Sequence, residues 1–149
     1  MVQGLVRLTL LAVLLLSGCA VTPPAEQAEP VTADTELQGS PEMALLSRAE
    51  QARAQGQTSA ASRYLERALT MAPHSSWLYR ELALLRLEEG DGHAAEGFAQ
   101  RALRLAPDND AYRAELWELV AAARAEQGDH GGADEARSRA QALREPDRA

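Results

Sequence analysis

Two copies of an alanine-rich phrase decide the fold of this chain: ERALTMAP at Glu66–Pro73 and QRALRLAP at Gln100–Pro107. The copies start 34 residues apart, and the same offset relates Gly56 to Gly90. Alanines at helical spacing let a neighbouring helix approach closely, glycine tolerates the left-handed turn that ends a helix, and proline stops the next helix. The pattern therefore predicts a repeated unit of helix, glycine turn, helix and proline stop.

A third copy is disguised by an insertion. Gln127-Gly128-Asp129 repeats Glu89-Gly90-Asp91 after 38 residues instead of 34, so four residues, about one helical turn, extend the first helix of the third unit. Ser40 is the predicted cap of the first helix. Six helices are predicted. The first two span residues 41–55 and 58–71, the third opens at Ser75 or Ser76, the fourth is capped by Asp91, and the last two span residues 110–127 and 132–143.

The repeated unit resembles the tetratricopeptide repeat, which has the same 34-residue period. Small residues (Ala49, Ala83, Ala121) stand at the first glycine of that pattern, Pro73 and Pro107 at its proline, and Ala61, Ala95 and Ala133 at its alanine. Ala52, Arg86 and Arg124 stand where tyrosine is usual. The resemblance implies an all-α array of about three helix pairs over residues 41–144, capped by the last helix and followed by a frayed tail at 145–149.

Residues 1–18 have the features of an export signal. One arginine, Arg7, precedes an apolar run from Leu8 to Leu16 that is too short to span a bilayer. The run ends in Leu-Ser-Gly-Cys19, which resembles a bacterial lipobox and holds the only cysteine. The resemblance implies lipidation of Cys19 and, because Ala20 follows, anchoring at the periplasmic face of the outer membrane. An ordinary signal peptide or a buried thiol is the alternative.

Residues 19–40 combine the lipidated cysteine with a segment that lacks arginine and aromatic residues. The segment contains three prolines and four acids: Pro23, Pro24, Pro30, Glu26, Glu29, Asp34 and Glu36. Such a composition offers little to a hydrophobic core, so the sequence predicts a disordered acidic tether.

The charge and the motifs exclude several classes of function. Net charge is −7, which disfavours a nucleic-acid partner because phosphate binding needs a basic surface. All 15 basic residues are arginine, so lysine chemistry is excluded. The three histidines show no metal-ligand spacing, and no phosphate-binding loop or catalytic motif is present. We therefore predict a protein that is not an enzyme and uses neither a metal nor a cofactor.

The tetratricopeptide resemblance implies binding of a protein partner along a groove formed by the first helix of each pair. Carried over residue by residue, the groove positions are Met43, Leu46, Glu50, Arg53, Trp77, Arg80, Leu84, Leu87, Glu115 and Glu118. Trp77 and Arg80 are residue types that dominate interface energetics. Equally, Trp77 could pack at a junction between repeats while Arg80 pairs with Glu81 or Glu115.

The lipobox, the proline-containing tether, the RAL-x-x-AP repeats and the lengthened third unit together resemble one subfamily. These are the small LpoP-type lipoproteins, which activate a class A penicillin-binding protein. The resemblance implies a non-catalytic activator of peptidoglycan synthesis. Two alternatives stay open: a generic scaffold or pilotin-like lipoprotein of a pilus or secretion system, and a periplasmic enzyme or peptidoglycan-binding accessory. The sequence leaves the oligomeric state open.

Overall fold

The computed structural model describes residues 30–145, which form helices and contain no strand. The predicted signal peptide, Cys19, most of the predicted tether and residues 146–149 lie outside the described residues. The helices are α1 (Ala33–Leu37), α2 (Pro41–Ala54), α3 (Thr58–Met71), α4 (Ser76–Glu88), α5 (Gly92–Leu105), α6 (Asp110–Glu126) and α7 (His130–Arg144). None of these helices is long and apolar enough to cross a membrane.

Helices α2 to α7 form three pairs: α2 with α3, α4 with α5, and α6 with α7. Each pair packs on the next. This confirms the predicted helical array. The first helix of each pair ends at a glycine with positive φ, namely Gly56, Gly90 and Gly128, as the shared period predicts. Helix α6 has 17 residues and its counterpart α4 has 13, which confirms the inserted turn.

Most helix starts follow from capping side chains. Ser75, Asp91, Asn109 and Asp129 each accept a backbone N–H from the first turn of the helix that follows, at about 3 Å. Ser40 occupies the cap position of α2, but its hydroxyl makes no cap hydrogen bond.

The predicted start of the last helix at Gly132 was wrong, because α7 begins at His130. Gly131 and Gly132 suggest a turn by composition. However, Asp129 accepts the backbone N–H of Gly132 at 2.9 Å, so the cap fixes the first turn around both glycines.

The prediction of a disordered tether up to Ser40 is wrong for residues 33–37, which form α1. Thr32 and Thr35 form a reciprocal capping box at its start, and Leu37 is 4% exposed, within the same buried cluster as Leu46. A proline-rich and acidic composition argues against an independent core. It does not prevent one leucine from packing on a core that the repeats already supply.

Alanine lines the contacts between the second helices and their neighbours. The positions that share the repeat are fully buried: Ala61 and Ala68 in α3, Ala95 and Ala102 in α5, and Ala133 and Ala140 in α7. Small side chains at these positions allow helix axes to approach closely, which compensates for the low aromatic content of 4%.

The arginines at the usual tyrosine positions link successive helix pairs. The Arg86 guanidinium in α4 donates to the Ser62 hydroxyl in α3 at 2.8 Å, and Arg124 in α6 bonds the Glu96 carboxylate in α5 at 2.8 Å. Ser62 and Glu96 are equivalent positions, 34 residues apart. Where tyrosine is usual, an arginine therefore makes a polar contact with the preceding helix pair, and this contact recurs between the first and second pairs and between the second and third pairs.

Candidate protein-interaction surface

The predicted groove residues lie on the first helices of the three pairs, but one of them is not accessible. Leu46 is 1% exposed and belongs to the core cluster that includes Leu78 and Leu82. The prediction that Leu46 contacts a partner was wrong, because the buried face of α2 extends around the helix to include this position. Met43, on the same helix, is half-buried against that cluster, and Glu50 is exposed.

Trp77, in the first turn of α4, packs between the core cluster of the first pair and α6 of the third pair. Its ring stacks on Tyr112 with centroids 6.1 Å apart and an angle of 12°, and the Arg80 guanidinium lies 4.6 Å from the ring centroid. The side chain is half-buried against two core clusters, and its indole Nε1 is buried with no hydrogen-bond partner among residues 30–145. The structure therefore supports Trp77 as a residue packed between repeats, and not primarily as a groove residue, although the side chain is only half-buried.

Helix α1 reaches the base of this tryptophan. The Glu36 carboxylate accepts the backbone N–H of Trp77 at 3.1 Å and the hydroxyl of Ser75. An anion at this position satisfies donors at the start of α4 and complements the helix dipole. Helix α1 is therefore attached directly at the start of α4, beside predicted groove residues Trp77 and Arg80.

Charged side chains connect all three first helices. Arg53 of α2 pairs with Glu88 at 2.7 Å and with Glu81 at 3.4 Å, both on α4. Arg80 pairs with Glu81 at 2.6 Å and lies 4.0 Å from Glu115 of α6. These distances confirm the alternative in which Arg80 pairs with Glu81 and Glu115. The predicted residues Arg53, Arg80 and Glu115 thus belong to one network.

Glu81 is the centre of this network, although the sequence predicted it only as a partner of Arg80 and not as a groove position. It is 7% exposed, and burial raises the pKa of its carboxyl although Arg80 and Arg53 act to lower it. Its position one turn after Trp77, between two predicted groove residues, was the available signal. The cost of removing such charges from water offsets much of their mutual attraction, so this network is not a strong source of stability.

The remaining predicted positions form an apolar strip beside the charged network. Leu84 and Leu87 of α4 are half-buried against the cluster that contains Ala83 and Val120. Glu118 of α6 pairs with Arg144 of α7 at 2.8 Å, so α7 closes this end of the surface. Partly exposed leucines flanked by paired charges offer the mixture of apolar and polar contact that protein interfaces use.

A buried polar contact anchors the inserted turn of α6. The Ser76 hydroxyl donates to the Ala102 carbonyl at 3.0 Å and lies 3.1 Å from the Tyr112 hydroxyl. Burial raises the pKa of Tyr112 to about 12, against the lowering effect of the Ser76 contact. Tyr112 therefore stays neutral at physiological pH and acts as a packing residue.

Comparison with known proteins places this chain in a family. A family model described as tetratricopeptide repeat matches residues 52–123. The solved globular C-terminal domain of P. aeruginosa LpoP is 42% identical, with a TM-score of 0.66, and the match covers 68% of this chain and 95% of that one. This chain belongs to the LpoP-like tetratricopeptide-repeat family. Among curated proteins, none matches it.

The LpoP-like array is a protein-interaction fold, in agreement with the predicted protein partner. Its described surface, residues 30–145, holds no group of three or more side chains that would bind a metal ion. The chemistry available on the first helices is recognition by shape, paired charge and apolar contact. Most charged side chains of the predicted groove form ion pairs with one another or with neighbouring helices. Glu50, Glu115, Leu84 and Leu87 are the groove residues most accessible to a partner.

Proposed function

We propose that this protein is a non-catalytic lipoprotein that binds and activates a class A penicillin-binding protein. The observation that carries this proposal is the 42% identity over 95% of the LpoP domain, since similarity at this level extends beyond the shared repeat architecture. An activator of this kind would bind the active state of the synthase more tightly than the inactive state and so shift its population.

The chain offers a consistent location for such activity. We propose that signal peptidase II removes residues 1–18, that Cys19 carries the lipid and that the array faces the periplasm from the outer membrane. Acyl chains gain about 0.8 kcal/mol per buried methylene, so several chains hold a protein firmly. Replacing Cys19→Ala should release the mature array from the outer-membrane fraction. Unchanged fractionation of this variant would contradict the anchor.

The direct test is glycan polymerisation by the class A penicillin-binding protein of the same organism, with and without soluble Ala20–Ala149. A several-fold rise that depends on direct binding is the expected result. Absence of both binding and stimulation would remove the activator proposal. A crosslinking experiment at the outer membrane would then test the alternative of a scaffold or pilotin-like lipoprotein.

The groove is tested by charge reversal at exposed positions, which leaves the core intact. Glu50→Arg with Glu115→Arg changes the first helices of two pairs. Glu66→Arg with Asp134→Arg, on the second helices α3 and α7, is the matched control, because it reverses the same number of charges and all four side chains are exposed. We expect the groove variant to lose most of its stimulation while its helical circular dichroism stays unchanged. Equal stimulation by the groove variant and the control would place the partner surface elsewhere.

A further inference from the structure

A second concave surface lies between α5, α6 and α7. It is open to solvent and has a volume of about 490 Å³. It is lined by four arginines together with apolar side chains: Arg104, Arg113, Arg124, Arg139, Trp117 and Leu103. No acidic side chain contributes to this lining in the described part of the chain. Such a basic concavity is unusual on a chain with a net charge of −7.

The inserted turn of α6 helps to form this arginine pocket. The repeat offset of 38 aligns Ala114 with Ser76, the first residue of α4, so Arg113 belongs to the turn that α4 lacks. Arg113, Trp117 and Arg124 lie on one face of α6, because their spacings of four and seven residues are close to whole turns. Glu115 and Glu118 project from the other side of α6. The pocket is therefore separate from the groove.

Two of the four arginines are held in place by the protein itself. Arg124 bonds Glu96 at 2.8 Å and the Gly132 carbonyl at 3.1 Å. Arg139 pairs with Glu135 at 2.5 Å, and its guanidinium lies 4.7 Å from the centroid of the Trp117 ring. These contacts orient the guanidinium groups before any partner arrives, which lowers the entropic cost of binding.

The other two arginines have no strong ion pair within the described residues. Arg113 lies 3.7 Å from Asp108, whose side chain is 99% exposed, so that pairing is weak in water. Arg104 is exposed at the end of α5 and has no ion pair or hydrogen bond from its side chain to the described residues. An incoming carboxylate would gain two guanidinium donors without displacing a buried partner.

We propose that the arginine pocket docks an acidic segment of a partner protein, with Arg104 and Arg113 pairing with its carboxylates. Guanidinium groups bind carboxylates through two parallel hydrogen bonds. Trp117 and Leu103 offer apolar surface to the side chains between those carboxylates. A peptide fits these features better than a membrane or a nucleic acid, because the basic residues surround one short concavity with apolar walls. This inference is independent of the proposed activator function.

The test measures binding of a short fluorescein-labelled peptide of alternating glutamate and leucine to soluble Ala20–Ala149 by fluorescence anisotropy. The corresponding lysine and leucine peptide is the control probe. We expect salt-sensitive binding of the acidic peptide and about a tenfold or greater loss of affinity in Arg104→Glu with Arg113→Glu. The matched control variant is Arg63→Glu with Arg67→Glu, which makes the same charge change on exposed α3 positions and should bind as the unmodified protein does.

Three results would overturn the proposal. Equal affinities of the pocket variant and the α3 variant would show that binding reflects overall charge. Binding to anionic phosphatidylglycerol vesicles, with no binding to the acidic peptide, would assign the pocket to lipid headgroups. Tighter peptide binding after deletion of residues 20–29 would show that Glu26 and Glu29 of the chain itself occupy the pocket. That deletion is informative because Pro30 lines the neighbouring cavity with Leu105 and Pro107.

Folding of the pocket variant is checked by its melting curve. Both arginines lie at the protein surface, and neither carries a buried ion pair, so the melting temperature should match that of the α3 variant. A pocket variant that melts normally and retains peptide binding would contradict the proposal. Should it melt early, Arg104→Gln with Arg113→Gln removes the same two charges, and undiminished peptide binding by this variant would likewise overturn the proposal.

Discussion

Glu81 and Glu96 both pair with arginine, yet their carboxyl pKa values shift in opposite directions. Burial is the largest influence on Glu81, and it raises the pKa above 4.5 against the effects of Arg80 and Arg53. Burial also acts to raise the pKa of Glu96, but hydrogen bonds from Gln127 and Arg124 lower it more, so the net shift is downward. The balance between desolvation and hydrogen bonding thus differs between the two junctions.

These shifts predict opposite pH dependences of stability. A raised pKa means that the folded state holds the proton more tightly than the unfolded state. The free energy of unfolding of the native chain, relative to Glu81→Gln, should therefore fall as pH rises from 4.5 through the raised pKa of Glu81. Relative to Glu96→Gln, it should fall as pH drops below 4.5 through the lowered pKa of Glu96.

Urea unfolding between about pH 3.5 and pH 7 would measure both dependences, because each variant removes one titrating group. The Glu81→Gln and Glu96→Gln variants serve as controls for each other, since both replace a partly paired glutamate with its amide. Parallel profiles for the native chain and Glu81→Gln would contradict the upward shift at Glu81.

Trp77 should contribute to stability as well as to any interface. The half-buried ring stacks on Tyr112 and packs against two clusters, so we expect Trp77→Ala to cost about 2 kcal/mol. Thermal or urea unfolding measures this cost.

Trp77→Phe distinguishes the contribution of ring packing from that of the indole nitrogen. The Nε1 atom is buried without a partner among the described residues, so losing it removes an unsatisfied donor. Phenylalanine keeps the stacking surface and should restore the free energy of unfolding to within about 1 kcal/mol of the native value. Equal destabilisation by alanine and phenylalanine would indicate that the indole nitrogen, and not ring packing, stabilises the junction.

At the scale of elements, the contact between α5 and α6 depends on the absence of a side chain at Gly92. A Cβ atom there would lie 2.7 Å from the Ala123 carbonyl oxygen and 3.1 Å from the Cβ of Glu126. Gly97, on the same helix, has nothing within 4 Å of the equivalent position. The two glycines therefore have different structural roles, although both lie within α5.

Gly92→Ala should destabilise the protein by about 1 to 3 kcal/mol, because α5 and α6 must move apart. Gly97→Ala is the matched control and should stabilise it by about 0.5 to 1 kcal/mol, since alanine restricts the unfolded chain and favours the helix. Urea unfolding of both variants provides the comparison. The same sign for both changes would show that the close approach of α5 and α6 is not rigid.

Across the whole molecule, stability should be distributed as in a linear array. Helix α4 packs against α3, α5 and α6, while α7 packs principally on α6 and exposes charged residues on its outer face. In such arrays, each unit depends on its neighbours, and terminal units open at lower free energy than central ones.

Hydrogen exchange should therefore be slowest in α4 and α5 and faster in α7 and in α2. Mass spectrometry of exchanging peptides would measure this order. As a control, Gly92→Ala should accelerate exchange in α5 and α6 more than in α2, because the contact that it disrupts joins those helices. Uniform protection from α2 to α7 would indicate a single cooperative unit and contradict the linear description.

The sequence by itself determined the array, the number of helix pairs and most helix ends. Those features depend on local chemistry that recurs with the period: glycines with positive φ, capping Asp91 and Asn109, proline stops and buried alanines. A repeated local signal can be read without knowing which distant residues meet.

Only the tertiary structure decided which residues meet across that array. It placed Glu36 at the start of α4, buried Leu46, centred the groove network on Glu81 and brought Arg104 together with Arg139. The physical reason is that each of these outcomes depends on surfaces from different helices. Burial, desolvation and ion pairing at such positions are set by the packed neighbours and not by spacing along the chain.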